Sequence, residues 1–243
     1  MVTKSKLTVV SYCHEAHEPW IPFWVEQIKK QTLDPSEFTV AFIFHNWQNK
    51  VAIARARKVI VENLKNVITY EFYSQPVIGE VIDYGCSILT QKDGLQQSEF
   101  FAHWDVDDVI HPERLALQLA FLNDNPDIDF LGTRMVGFNG QPTKEMMQLN
   151  YVQPNEPNLH VKNNDEIRDC LVNRNQNCLG HTTMVYRPEV MQALGGFSRS
   201  DVKLDGKSPD FETWKKAIIA GYKFYRLPEL CALWRLDSSS IRL

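Results

Sequence analysis

The sequence predicts an α/β fold with a mostly parallel central sheet flanked by helices. Short apolar runs alternate with segments of helical period in the first half, and those runs lack the polar alternation of a sheet that faces water on one side. Strands of a parallel sheet are buried on both faces, which produces this pattern. No internal repeat or linker-like tract interrupts the 243 residues, so we expect a single domain over residues 1–243.

Each element of the first half follows from its own residues. Leu7 to Tyr12 is a β-rich run, and Pro19 opens a helical segment in which Trp20, Trp24 and Ile28 recur on one apolar face. The other elements predicted in this half are strands over 38–44, 66–73 and 100–104 and helices over 51–65 and 79–91.

The second half is less regular. Pro112 starts a predicted helix whose inward stripe is Leu115, Leu119 and Leu122, and a strand follows over 127–138. Residues 139–164 are polar and contain prolines, which indicates a long connection or flap. From there to the C-terminus short strands and helices are mixed.

Composition excludes several classes of partner. The formal charge of −4 gives no basic field for nucleic acid, so no nucleic-acid partner is expected. No run of about 18 apolar residues predicts a transmembrane segment, and the N-terminal apolar run is too short for a signal peptide. The five cysteines are scattered and lack CxxC spacing. We therefore expect a reduced, cytoplasmic protein.

Three carboxylates crowd the end of the predicted strand in FFAHWDVDDVIHPER: Asp105, Asp107 and Asp108. Ionised carboxylates this close require a cation, a hydrogen-bonding frame or bulk water. Extended geometry places Asp105 and Asp107 on one side and Asp108 on the other, at the edge where open parallel sheets bind ligands. Two convergent carboxylates suit Mg²⁺ or Mn²⁺ with a diphosphate, whereas the alternative is that they are turn and cap residues.

The sequence segments around this cluster resemble those of family 2 glycosyltransferases. WDVDDVIHPERLALQ is similar to the segment in which a strand ends in Asp-x-Asp-Asp before a Pro-x-Arg-Leu helix. LTVVSYCHE, HTTMVYRPEVMQALGGF and PDFETWKKAIIAGYKFYRLPELCALWR resemble further segments of that family in the same order. The resemblance implies a GT-A, Rossmann-like fold with a nucleotide-sugar half over 1–108 and an acceptor-side half over 109–243.

The same resemblance implies an activity and a donor. It implies transfer of a sugar from a nucleotide diphosphate donor, a UDP-sugar first of all, to a hydroxyl of a glycan or other acceptor. Asp105 and Asp107 match the metal and nucleotide-sugar motif, with Mn²⁺ or Mg²⁺ as the ion and Asp107 as its direct ligand. Asp210 in SPDFETW matches the catalytic base of an inverting transfer, although Pro209 replaces the usual acidic neighbour and Asp210 could instead cap a helix.

The remaining candidates depart from the family pattern. Asp237 stands where a closing histidine helps to bind the metal, and could be a ligand or a solvated tail carboxylate. His45 and Asn46 replace the aspartates that read the base, and offer a donor and an acceptor without fixed charge. Trp47, at a strand end, is a candidate for stacking on base or sugar. His181 could hydrogen-bond sugar or phosphate, or be structural.

These departures leave other functions open. A non-catalytic module that binds a nucleotide sugar or a glycan would keep the fold with an altered pocket. Asp83 and Tyr84, which stand where the family has an Arg-Asn pair, favour such an alteration. A sugar nucleotidyltransferase ranks lower, because SYCHEAHEPW lacks the glycine-rich basic loop that enzyme needs after its first strand.

Overall fold

The computed structural model describes residues 5–72, 98–197 and 208–236. The strands of these ranges are β1 (Leu7–His14), β2 (Phe38–His45), β3 (Val67–Phe72), β4 (Phe100–His103), β5 (Val109–Ile110), β6 (Phe130–Phe138), β7 (Val185–Tyr186) and β8 (Phe224–Arg235). Their α-helices are α1 (Ile21–Lys29), α2 (Lys50–Asn63), α3 (Arg114–Asp124), α4 (Asn164–Arg168), α5 (Pro188–Ala193) and α6 (Pro209–Ile219). Single turns of other helix types cover Glu15–Trp20, Asp169–Asn173 and His181–Thr183.

The strands described here form one sheet in the order β3-β2-β1-β4-β7-β6-β8-β5. The first four are parallel to one another. Strand β7 is antiparallel to both β4 and β6, β8 is parallel to β6, and β5 closes the edge antiparallel to β8. The predicted class, a mostly parallel sheet flanked by helices, is confirmed.

Buried apolar strands carry the core on both faces of the sheet. Seven of the eight residues of β1 are buried, as expected of a strand that is covered on both sides. One hydrophobic cluster joins the sheet to α1, α2 and α3, and a second joins it to α6 and to the segment 170–179. The predicted stripe of Leu115, Leu119 and Leu122 is buried in the first cluster.

The helix expected from Pro19 is divided in the structure. Residues Glu15–Trp20 form a 3-10 turn that contains Pro19, and α1 begins only at Ile21. His14 Nδ1 accepts from the Ala16 backbone N–H and starts the 3-10 turn. Trp24, on the predicted apolar face, is completely buried.

The connection over residues 139–163 has no helix or strand, as predicted, and a buried ion pair attaches it to the sheet. Arg134 of β6 pairs with Glu156, and their side chains are only 4% and 3% exposed. Arg134 also donates to the backbone oxygens of Pro228 at 3.0 Å and Tyr151 at 2.6 Å. The irregular segment is therefore fixed to β6 and β8 through one arginine.

The predicted helix over 79–91, with Asp83 and Tyr84, lies outside the described residues. So does Asp237. Within the ranges that are described, no helix has both the length and the apolar composition needed to cross a membrane.

Candidate active site

The acidic loop leaves the carboxyl end of β4 and turns sharply. The backbone N–H of Asp108 donates to the carbonyl oxygen of Asp105 at 3.3 Å. Asp105 and Asp107 are partly exposed, whereas Val106 and Asp108 between and after them are buried. Two carboxylates therefore remain accessible at the rim of the sheet and the third is turned inward; this is the predicted division, although the backbone here forms a turn and is not extended.

Asp108 belongs to the framework of the loop. Its Oδ1 accepts from the backbone N–H of Arg235 at 3.1 Å, and its carbonyl oxygen accepts from Gln27 Nε2 at 3.0 Å. Burial, followed by the negative charges of Asp105 and Asp107, raises the pKa of Asp108 well above its ordinary value. The protonated form is thus favoured, which reduces the repulsion within the cluster.

Further hydrogen bonds hold the backbone of the same loop. Arg235 Nε donates to the carbonyl oxygen of Asp107 at 3.1 Å. The backbone N–H of Asp105 donates to Thr182 Oγ1 at 3.0 Å, from the turn His181–Thr183. The acidic cluster requires a cation, a hydrogen-bonding frame or bulk water to stabilise it. The protein itself provides the hydrogen-bonding frame.

His181 forms an ion pair with the first accessible carboxylate, with its Nδ1 3.6 Å from Asp105 Oδ1. Burial lowers the pKa of His181, but contact with Asp105 and the charges of Asp105 and Asp210 outweigh it and raise the pKa overall. Burial likewise raises the pKa of Asp105, but contact with His181 outweighs it and lowers the pKa overall. Each group stabilises the charged form of the other.

A second histidine supports the first. The rings of His103 and His181 lie 4.1 Å apart between centroids, tilted by 32°. His103 is fully buried, and its Nε2 is 2.9 Å from the hydroxyl of Tyr186. Burial lowers the pKa of His103 well below its ordinary value, so this ring is neutral. The Nε2 atom of His181 has no hydrogen-bond partner within the described residues.

Asp210 lies in the first turn of α6 and is held by a hydrogen bond from a loop residue. Asn177 Nδ2 donates to Asp210 Oδ2 at 3.3 Å, while Asn177 Oδ1 accepts from the backbone N–H of Leu179 at 3.1 Å. Ser208 occupies the cap position of the helix, so the alternative in which Asp210 caps α6 is wrong. The negative charge of Asp210 contributes to the raised pKa of His181.

The residues at the end of β2 are more buried than the sequence suggested. His45 is only 6% exposed, and burial lowers its pKa to about 4. Trp47 is buried and its Nε1 donates to the carbonyl oxygen of Cys13 at 2.7 Å, so its ring packs in the core. Trp104 is fully buried as well. Asn46 is half-buried at φ 58°, and its Oδ1 has no partner in the part of the chain described.

The donor set fits a hard divalent cation that takes the rest of its ligands from elsewhere. Asp105 and Asp107 supply carboxylate oxygens, which Mg²⁺ and Mn²⁺ prefer. Among the described residues no group of three or more His, Cys, Asp or Glu side chains is arranged to hold a metal. An ion here would therefore need phosphate oxygens or water to complete its coordination.

Several residues of the site carry no signal in the sequence that reveals their role. Asn177 and Thr182 are ordinary polar residues in loops, and their contacts to Asp210 and Asp105 span 33 and 77 positions. Arg235 is the last residue of the mostly apolar strand β8, a position where an arginine is expected to face water.

The chain has the GT-A glycosyltransferase fold. The mannosyltransferase PcManGT from Pyrobaculum calidifontis, solved with GDP-Man and Mn²⁺, superposes with a TM-score of 0.67 at 15% identity over 98% of this chain and 59% of that one. Residues 1–349 of TarS from S. aureus, solved with UDP-GlcNAc, give a TM-score of 0.65 at 16% identity over 98% of this chain and 62% of that one. This chain thus spans about three fifths of those structures. The sequence matches no protein-family model and no curated protein.

Proposed function

We propose that this chain is a glycosyltransferase that moves a sugar from a nucleotide diphosphate donor, first of all a UDP-sugar, to a hydroxyl of a glycan or other acceptor. The observation that carries the proposal is the pair of Asp105 and His181 at the carboxyl rim of the sheet, with the partly exposed Asp107 beside it. The fold supports it, because similar structures were solved with UDP-GlcNAc and with GDP-Man.

On the donor side, Asp105 and Asp107 would hold Mn²⁺ or Mg²⁺, with Asp107 as the candidate direct ligand and Asp237 as a further candidate. When bound, the ion offsets the negative charge that develops on the leaving diphosphate. Pairing with Asp105 favours the cationic form of His181, and its Nε2, which has no partner among the described residues, donates to a phosphate or sugar oxygen. Asn46 and His45 contact the nucleobase at the end of β2.

On the acceptor side, Asp210 removes the proton of the attacking hydroxyl. The acceptor oxygen forms a bond to the anomeric carbon as the bond to the diphosphate breaks, which inverts the configuration in one displacement. The hydrogen bond from Asn177 occupies Asp210 Oδ2 and leaves Oδ1 for the proton. A positioned base of this kind contributes about 10²–10⁴ in rate.

The thiol state of the cysteines supports the reducing cytoplasm as the place of action. All four cysteines that the described ranges contain, Cys13, Cys170, Cys178 and Cys231, are free thiols. Free buried thiols are typical of reducing compartments.

The test is release of nucleoside diphosphate from a panel of nucleotide sugars, with and without Mn²⁺, together with binding of the nucleotide alone. We expect Asp107→Ala to weaken metal-dependent nucleotide binding, and Asp210→Asn to lower kcat by about 10²–10⁴ while nucleotide binding is kept. Asp127→Ala is the matched control, because this exposed aspartate pairs only with Lys223 among the described residues.

Other outcomes would contradict the proposal. Metal-dependent nucleotide binding without turnover across a broad set of acceptors would identify a binding module. Release of pyrophosphate from a nucleoside triphosphate and a sugar phosphate would identify a nucleotidyltransferase. Loss of nucleotide binding in Asp210→Asn, with binding intact in Asp107→Ala, would reverse the two roles.

A further inference from the structure

Helix α3 buries two polar side chains one turn apart. Arg114 and Gln118 are both 0% exposed, beside a stripe that is otherwise leucine. A guanidinium out of water is costly unless charges or hydrogen bonds compensate for the lost solvent. The hydrogen-bond partners of Arg114 in the described residues are nonetheless neutral: a side-chain amide and a backbone carbonyl. Stability alone is a weak reason to keep such a group.

The two side chains connect three backbone segments. Arg114 Nε donates to Gln118 Oε1 at 2.9 Å, and Arg114 Nη2 donates to the carbonyl oxygen of His103 at 2.8 Å. Gln118 Nε2 donates to the carbonyl oxygens of Thr183 at 2.8 Å and Leu131 at 3.3 Å. The end of β4, the start of β6 and the turn His181–Thr183 are therefore joined to one helix.

Two of these segments, the end of β4 and the turn His181–Thr183, carry residues of the donor site. His103 lies two positions before Asp105, and Thr183 lies two positions after His181. Arg114 also stacks its guanidinium on Trp104, with Cζ 5.8 Å from the ring centroid. The buried network therefore sets the distance between the strand end that carries Asp105 and the turn that carries His181.

Arg114 also brings a positive charge to the residues that immediately precede the acidic loop, His103 and Trp104. Burial lowers its pKa to about 10, against the opposing effect of Cys231, Asp105 and Asp108. At neutral pH the guanidinium is therefore still protonated. A positive charge in this weakly polarisable interior attracts the nearby carboxylates more strongly than it would in water.

We propose that Arg114 and Gln118 are positioning residues of the donor site. They hold Asp105 and His181 at the spacing that receives a diphosphate. The positive charge of Arg114 also offsets the repulsion between the carboxylates of the acidic loop. This inference rests on the proposed function, since it concerns the same donor site.

Three variants on α3 test it. Arg114→Lys keeps the charge but cannot bridge Gln118 and His103 as the guanidinium does. Gln118→Met keeps the length of the side chain and removes its hydrogen bonds. Leu122→Ala is the control, because it opens a cavity on the same helix without touching the network. The readouts are Tm, kcat and KM for the donor, and metal-dependent binding of the nucleoside diphosphate, all measured below the lowest Tm.

We expect Arg114→Lys and Gln118→Met to lower kcat/KM for the donor by about 10–100-fold, mainly through KM. Leu122→Ala should lower Tm and leave the donor KM unchanged. If both network variants lower Tm as the control does while the donor KM stays at the wild-type value, their role is structural and the inference is overturned.

The two proposals fail in different ways. Wild-type behaviour of Arg114→Lys and Gln118→Met, beside the expected losses in Asp107→Ala and Asp210→Asn, overturns only the positioning role. No turnover by the unchanged chain overturns the transferase, and the positioning role with it.

Discussion

The ion pair between Arg134 and Glu156 gives a quantitative test of how the connection over 139–163 is attached. Both side chains are almost completely buried, and Arg134 donates further to two carbonyl oxygens. Glu156→Ala would remove the only carboxylate that neutralises this guanidinium within the described residues. The carbonyl groups satisfy its N–H groups but leave its charge uncompensated.

The expected loss follows from that uncompensated charge. Removing one partner of a buried pair costs about 3–5 kcal/mol of unfolding free energy. Replacing both partners, as in Arg134→Met with Glu156→Leu, removes the charge together with its counter-charge. The double variant should therefore lie within about 2 kcal/mol of the wild type and be more stable than Glu156→Ala.

The assay is equilibrium unfolding in urea, monitored by tryptophan fluorescence. It compares the wild type with Glu156→Ala and with the double variant Arg134→Met with Glu156→Leu. Glu62→Ala is the control, because its partner Lys58 is 71% exposed and the pair spans one helical turn. That change should cost under about 0.5 kcal/mol. A loss below about 1 kcal/mol for Glu156→Ala, or a double variant as unstable as that single one, would refute the reasoning.

Three further predictions concern the site. The pKa of His45 is about 4 in the folded state, whereas this histidine takes up a proton near pH 6.5 in the unfolded chain. The free energy of unfolding should therefore fall by roughly 3 kcal/mol as the pH is lowered from 6.5 to 4. Thermal melts of His45→Gln should show a flatter dependence on pH over that range. Gly180→Ala would put a methyl group 2.5 Å from Met135 Cε and displace the turn that carries His181; the donor KM should rise, and adding Met135→Ala should restore it. Asn177→Ala should lower kcat about tenfold with the donor KM unchanged, because Asp210 loses an orienting hydrogen bond; a raised KM with normal kcat would contradict this.

Local patterns in the sequence predicted the parallel part of the sheet. Strands β1 and β2 are mostly apolar and almost completely buried, which is typical of a sheet covered on both faces. Strand β7 has two residues, too few to show any period, so its antiparallel insertion between β4 and β6 could not be read in advance. The 3-10 turn before α1 was missed because proline at a helix start and proline within a 3-10 turn look alike in sequence.

In the site, too, local features could be predicted from the sequence, whereas contacts between distant positions could not. The sequence predicts that Asp108 points away from Asp105 and Asp107, but it does so from an extended backbone, whereas the structure reaches the same division through a turn. The contact from Gln118 to Thr183 spans 65 positions, and a polar residue on a helix is expected to face water. Trp47 shows the reverse: its place just after β2 suggests an exposed ring, but the ring is buried and its Nε1 donates to the carbonyl oxygen of Cys13 in the neighbouring strand β1.

The short strand β7 makes the middle of the sheet much narrower than the parallel pair β1 and β2. Val185 and Tyr186 alone pair with β4 on one side and with β6 on the other, whereas β1 and β2 are in register over eight positions. A molecule that touches Asp107 and Asp210 at once would span this seam and brace it. Occupancy by donor and acceptor together should therefore slow amide hydrogen exchange at Val185 and Tyr186 more than either substrate does alone, which makes this two-residue ladder a built-in reporter of the ternary complex.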